Sequence, residues 1–154
     1  MTGTDASLRI IESDFAVQAA IADLQGSASG SWNNTGLLLV LPRAGTYQLD
    51  ATVRAALSGT SPVNVFMNAR LFDATAGAAV PDSEVVISQV NVSGVAGIVQ
   101  GSNQSASIQV EYTVTEARSI RVQGRRTNIL GASTTAQIHF NSDGRTTLRY
   151  RRIA

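Results

Sequence analysis

Residues 35–57 read T-G-L-L-L-V-L-P-R-A-G-T-Y-Q-L-D-A-T-V-R-A-A-L. An aliphatic run at 37–41 meets a Pro-Arg-Ala-Gly turn at 42–45. Beyond the turn alternate residues are apolar. Tyr47, Leu49, Ala51, Val53, Ala55 and Leu57 fall on one face of an extended chain, and Gln48, Asp50, Thr52 and Arg54 on the other. This pattern predicts half-buried antiparallel β-structure and sets the class of the whole chain. The run 37–41 has no alternation, so both of its faces are expected to be covered. The core can cover one; a loop or a neighbouring subunit must cover the other, because a bare aliphatic strand invites aggregation.

The same alternation recurs at steady intervals, separated by turn residues. Residues 63–73 place Val63, Val65, Met67, Ala69 and Leu71 on one face, and 105–115 do so with Ala106, Ile108, Val110, Tyr112 and Val114. Further strands are predicted at 84–92, 119–127, 135–140 and 145–153. The last two are joined by an N-S-D-G hairpin signal at 141–144. A Gly/Ala/Pro loop fills 74–82, and the Gly-rich stretch 93–104 is the longest expected connection. Segment 14–26 fits two readings. Val17, Ile21 and Leu24 have helical spacing with Asp14 and Gly26 as caps, whereas Phe15, Val17, Ala19 and Ile21 fit a strand. The β-rich context tips it towards strand. Residues 1–14 read as an N-terminal arm and 15–154 as a single domain. About eight to ten strands, with no other helix-period segment, predict an all-β, antiparallel jelly-roll β-sandwich.

A chain of 154 residues is long enough for one two-layer core. Charged residues make up only 15%, which favours β-structure over a helical bundle. There is no cysteine, which removes disulfides, thiolate catalysis and Cys-zinc sites together. Met-Thr-Gly-Thr-Asp-Ala-Ser lacks the basic start and apolar core of a signal peptide, and no stretch approaches a membrane span. Synthesis in a cytoplasm, with no membrane partner, is the expectation. Every basic residue is arginine. Residues 1–117 hold four arginines against ten acids, a balance of −6; residues 118–154 hold eight against Asp143 alone, a balance of +7. An acidic body and a basic C-terminal segment should attract each other within or between subunits.

The stretch S-W-N-N-T-G-L-L-L-V-L-P-R-A-G-T-Y-Q-L-D-A-T-V-R resembles the early strands of C1q/TNF-like jelly-roll domains. In that family an aliphatic strand ends in Pro, and a Gly-x-Tyr turn leads into a long alternating strand. Thr146-Thr-Leu-Arg-Tyr-Arg-Arg-Ile resembles its closing strand, so the likeness covers about residues 30–154. The resemblance implies a homotrimer that binds other proteins or glycans and is not an enzyme. Many such domains occur in bacteriophage virions as capsid decoration proteins, head fibres and fibre tips. The secreted animal members carry a signal peptide, a collagen stalk and cysteines, none of which this sequence has. The implied role is a structural virion protein, first a trimeric capsid decoration protein, because the domain fills nearly the whole chain and leaves no shaft. Its implied partners are itself and the major capsid protein or another virion protein, with the arm ordering on the capsid. A receptor- or glycan-binding fibre or tip protein, using loops 26–35 and 93–104 to grip a host-surface glycan, is the alternative. A hydrolase whose carboxylates are brought together by folding is a remoter one.

Residues with chemistry are few. His139 is the only histidine; on a strand it points away from Ile138 and Phe140 and reads as exposed. No serine lies in a G-x-S-x-G context. The carboxylates are spread, no phosphate loop or zinc spacing is present, and no cofactor or metal site is expected. The interface candidates are Leu37 and Leu39, with the arginines of the basic segment. Arg121 and Arg125 share a strand face with Gln123; Arg149 and Arg151 share one with Arg145 and Thr147. If the two strands meet, they make a stripe able to grip carboxylates bidentately. Acidic protein surface is the expected partner, since only Tyr150 lies near for nucleic-acid stacking and it points the other way. Trp32, in the expected loop, suits either a sugar ring or the end of the sandwich, and the resemblance implies the latter.

Overall fold

A computed structural model describes residues 11–141 and 144–154. Within them lie eleven strands: β1 (Ser13–Val17), β2 (Ala22–Asp23), β3 (Trp32–Leu41), β4 (Gly45–Thr60), β5 (Val63–Asp73), β6 (Ala78–Ala79), β7 (Val85–Val92), β8 (Val99–Val114), β9 (Arg118–Leu130), β10 (Ser133–Ile138) and β11 (Thr147–Arg152). Segment 14–26 holds no helix: it carries most of β1 and the two-residue β2, with an irregular stretch between them and a turn after. Among the described residues no helix is long and apolar enough to cross a membrane.

The alternating stretch becomes β4, the hub of the first sheet. One of its edges pairs with β8 without a break, from Gly45↔Val114 to Thr60↔Val99. Its other edge is shared by β11 and β10 in series, with β1 beyond β11 and β2 beyond β10. The second sheet runs β3–β9–β5, with β7 and β6 on the far edge of β5. All pairs are antiparallel. With β1/β2 and β10/β11 each counted as one interrupted strand and the short β6 set aside, eight strands remain. The sheets then read first-eighth-third-sixth and second-seventh-fourth-fifth, which is jelly-roll order.

The core lies between the sheets and follows the predicted faces. Tyr47, Leu49, Val53, Leu57, Ile108 and Leu148 enter it from the first sheet; Leu41, Val65, Met67, Leu71, Ile120 and Val122 enter from the second. Each fully buried aliphatic side chain contributes about 1.5–3 kcal/mol. The Tyr47 and Tyr150 rings meet edge to face at 5.3 Å, and the Tyr47 hydroxyl donates to the Arg43 carbonyl at 2.8 Å. One end of the sandwich is rich in charge. Buried Asp73 accepts the Thr75 and Ala76 amides at 2.9 and 2.8 Å through Oδ1, and the Tyr112 hydroxyl at 2.8 Å through Oδ2. Arg118 lies 3.7 Å from Asp73 and 3.3 Å from Glu116. Glu12 meets Arg43 at 2.8 Å and Arg152 at 3.9 Å. The basic segment and the acidic body thus do attract each other within one chain.

Burial, then the hydrogen bond and charge of Asp73, raise the Tyr112 phenol, with Arg118 opposing. Burial, then the charges of Glu12 and Asp14, raise Tyr150. Both phenols favour their neutral form in the folded chain. The stability they contribute is complete below the ordinary tyrosine pKa of about 10 and is lost as pH climbs through the raised folded values. Near-ultraviolet titration should show these two ionising later than free tyrosine, and the melting temperature should fall in strongly alkaline buffer. Ionisation at the free value would contradict the burial seen here.

Two connections differ from expectation. Residues 99–104, read as part of a long Gly-rich loop, are strand, because a ladder to β4 needs backbone groups and not apolar side chains. The N-S-D-G signal does not fold β10 back on β11. Ser142 and Asp143 lie outside the described residues, but β10 and β11 follow each other along the same edge of β4. The Thr146 amide donates to the His139 carbonyl at 3.1 Å, and the Arg54 amide donates to Thr146 Oγ1 at 3.0 Å. The chain therefore leaves the edge at His139 and rejoins it at Thr146. Of the arm, residues 1–10 lie outside the described residues, and β1 begins at Ser13.

Gly131, between β9 and β10, has φ +65°, and a Cβ there would sit 2.8 Å from the Pro62 carbonyl oxygen. Gly131→Ala is expected to cost about 1–2 kcal/mol through both effects, measurable as a lowered thermal midpoint.

Candidate protein interface

Strand parity decides which residues of β3 reach a partner. Leu37, Leu39 and Leu41 face the core, while Leu38 and Val40 stand exposed on the outer face of the second sheet. Leu37 and Leu39 are therefore core residues and not interface residues. Five like side chains in a row carry no parity signal. Pairing supplies it: Leu39 lies opposite Ile120, after a register shift between Asn34 and Leu38. Thr35 anchors that shift by donating through Oγ1 to the Val122 carbonyl at 3.0 Å, and Gly36 follows with φ +94°. The expected cover of the outer side of this run is not met within the described residues, where Leu38 and Val40 stay open.

Beside Leu38 and Val40 the same face carries a cation–aromatic cluster. Trp32 lies on β3 and not in the loop expected from the sequence, and its ring packs with Arg70 and Arg125 of this face instead of forming the end plug that the resemblance implied. Its ring centroid is 4.2 Å from the Arg70 guanidinium carbon and 4.4 Å from that of Arg125. Arg70 also lies 5.4 Å from the Phe72 ring. Such contacts add about 0.5–1 kcal/mol each at exposed sites. Arg70 Nε donates to Gln123 at 2.9 Å, Gln123 Nε2 donates to Asn34 at 2.9 Å, and Arg125 meets Glu84 at 2.5 Å. Burial lowers the Arg70 pKa below its usual value; Glu84 opposes the shift and Arg125 adds to it. The cluster thus holds two guanidinium groups against the Trp32 ring, beside exposed aliphatic side chains, a composition suited to protein contact.

Arg121, Gln123 and Arg125 do share this face, as their spacing predicted. Arg149 and Arg151 do not join them. β9 lies in the second sheet and β11 in the first, so the two arginine pairs point out of opposite sides of the sandwich. The single basic stripe is corrected to two separate faces. On the first sheet Arg149 lies 5.7 Å from the exposed Phe15 ring, and Arg151 donates to Gln48 at 2.6 Å. Here Gln48, Asp50, Thr52, Gln109, Thr147 and Arg149 line a shallow polar hollow of about 280 Å³.

Arg126 was legible only as part of the basic segment. Its odd-even position turns it inward, where it is buried. Nε donates to the Leu24 carbonyl at 3.3 Å, and NH1 to Ser133 Oγ at 3.3 Å, while NH2 donates to the Ser27 carbonyl. His139 is also covered rather than exposed. Its ring nitrogens meet Gln137 Oε1 at 3.3 Å and Asn141 Nδ2 at 3.4 Å, so side-chain amides and not a serine and an acid are its neighbours there. Among the described residues, no group of three or more His, Asp or Glu side chains gathers to hold a metal ion.

No protein-family model matches the sequence, and no curated protein matches it. Among solved structures, the whole chain is similar to that of infectious bursal disease virus Gx strain, at 9% identity and TM-score 0.49, covering 41% of that chain. It is also similar over its whole length to the infectious bursal disease virus VP2 subviral particle, at 12% identity and TM-score 0.43, covering 42% of that chain. The chain thus spans about two fifths of the length of these neighbours. The fold given above rests on this chain's own strand order.

Proposed function

We propose that the chain is a structural virion protein of a bacteriophage, a trimeric capsid decoration protein that docks on the major capsid protein or another virion protein. The observation that carries the docking role is the outer face of the second sheet, where Leu38 and Val40 lie uncovered beside the ordered Trp32–Arg70–Arg125 cluster. The virion assignment draws its support from the C1q/TNF-like resemblance of residues 30–154 and from a jelly-roll strand order that suits it. Antibodies against the purified chain should label intact particles made by the genome that encodes it. Unlabelled particles, with all of the chain left in the cleared lysate, would overturn the reading. Leu38→Asp should then weaken the retention of the protein on particles.

A receptor- or glycan-binding role is the second reading. It is favoured by the polar hollow on the first sheet, where amide, hydroxyl, carboxylate and guanidinium groups lie beside the Phe15–Arg149 pair. Such a set can hydrogen-bond a sugar while the ring stacks on it. A glycan array without hits counts against this reading.

A further inference from the structure

The two ends of the sandwich differ in charge. The end built from Glu12, Arg43, Asp73, Glu116, Arg118 and Arg152 is laced with ion pairs. At the other end, the β4–β5 turn, the 93–98 connection, the β9–β10 turn and the 24–31 loop come together. The Ser61 amide donates to the Ile98 carbonyl at 2.9 Å, and the Gly97 amide to the Ser61 carbonyl at 3.0 Å. Gly131 abuts Pro62, and the Asn128 amide donates to Ser29 Oγ at 2.9 Å. Residues 24–42, 55–69, 85–110 and 127–138, which supply this end, contain no Asp, Glu, Lys or Arg. On it stand Val95, Ile98, Val99, Ile129 and Leu130, each between 46% and 72% exposed. Together they expose on the order of 500 Å² of aliphatic surface, at the upper end for the largest patch of a monomer.

We propose that this end, whose exposed aliphatic tip carries no charge, is where one copy of the chain meets another, with like ends brought together about a rotation axis. Close to a rotation axis, two-fold or three-fold, each group stands near its own images, so any formal charge there would face a like charge. The tip has none. Joining two such patches removes on the order of 1,000 Å² from water, the lower bound for a specific interface. The 93–98 connection is already tied to Ser61 by two backbone hydrogen bonds, so docking orders little new chain. A lipid surface fits less well, because the patch has neither the aromatic nor the cationic side chains that anchor proteins at a bilayer interface. The inference adds to the proposed trimer the surface through which copies meet, and it rests on that reading only for the number of copies.

Light scattering after size exclusion tests it at high micromolar concentration. The wild-type mass should be a multiple of the chain mass and should persist in high salt, as befits an apolar contact. Val95→Asp and Ile129→Asp should each give a monomer that still melts in one cooperative transition, while Leu38→Asp stays assembled. A monomeric wild type overturns the contact and the trimer together. Tip variants that stay assembled, or flotation of the wild type with neutral phospholipid vesicles, overturn the contact alone. A multimer that the tip variants abolish supports it even if virions remain unlabelled, so the virion reading can fail separately.

Discussion

Replacing Arg126 by methionine is expected to lower stability by about 3 kcal/mol, roughly a 6–12 °C fall in melting temperature for a chain of this size. Methionine fills much of the same space, so the loss comes from hydrogen bonds. The Leu24 and Ser27 carbonyls and Ser133 Oγ would each lose a charged donor in a buried setting. Because Arg126 ties the 24–31 loop to β9 and β10, amide exchange in that loop should rise together with the global loss. Arg125→Met, one residue away but on the outer face, is the comparison: it should cost about 1 kcal/mol or less. Equal losses for the two variants would mean that the inward setting of Arg126 has no energetic weight.

Asp73→Ala should be comparably severe, about 3 kcal/mol. It removes the acceptor of two turn amides and of the Tyr112 hydroxyl, and it leaves Arg118 with Glu116 alone. Asp73→Asn separates the parts. The amide oxygen can still accept the two turn N–H groups, so about 1 kcal/mol should be lost, mainly at Arg118. In this variant the Tyr112 phenol should also ionise earlier than in the wild type. Two of the causes that raise it are the Asp73 hydrogen bond and charge, and only burial remains. A Tyr112 titration that does not move in Asp73→Asn would refute that attribution.

Much of the fold was legible because period-two alternation reports burial directly. Every residue assigned to the inner face of β4 and β5 lies in the core. Three things were hidden for separate physical reasons. Parity within 37–41 could not be read, since all five side chains are aliphatic, and the outward-facing residues were placed one position off. Sheet membership could not be read either. The arginines of β9 and β11 look alike along the chain, and only long-range pairing sends them to opposite faces. The N-S-D-G signal marks a change of direction in the sequence but not the partner of the strands around it. The Trp32–Arg70–Arg125 cluster joins three strands, which no spacing in the sequence records. One signal was present and unused: the charge-free stretches around 61, 95 and 130 can be read from the sequence without any structure.

The two edges of β4 are filled by strands made long after it. One edge waits for β8 and the other for β10 and β11. On a ribosome adding about 5–20 residues each second, several seconds pass between the emergence of β4 and that of β11. Until β8 emerges β4 has no ladder on either side, and its second edge, like β1, stays open until β10 and β11 follow. Closing pairings so distant along the chain is slow, in the range of milliseconds to seconds for all-β domains. Yield in a heterologous host should therefore depend on chaperone supply and growth temperature more than the melting point of the finished protein suggests.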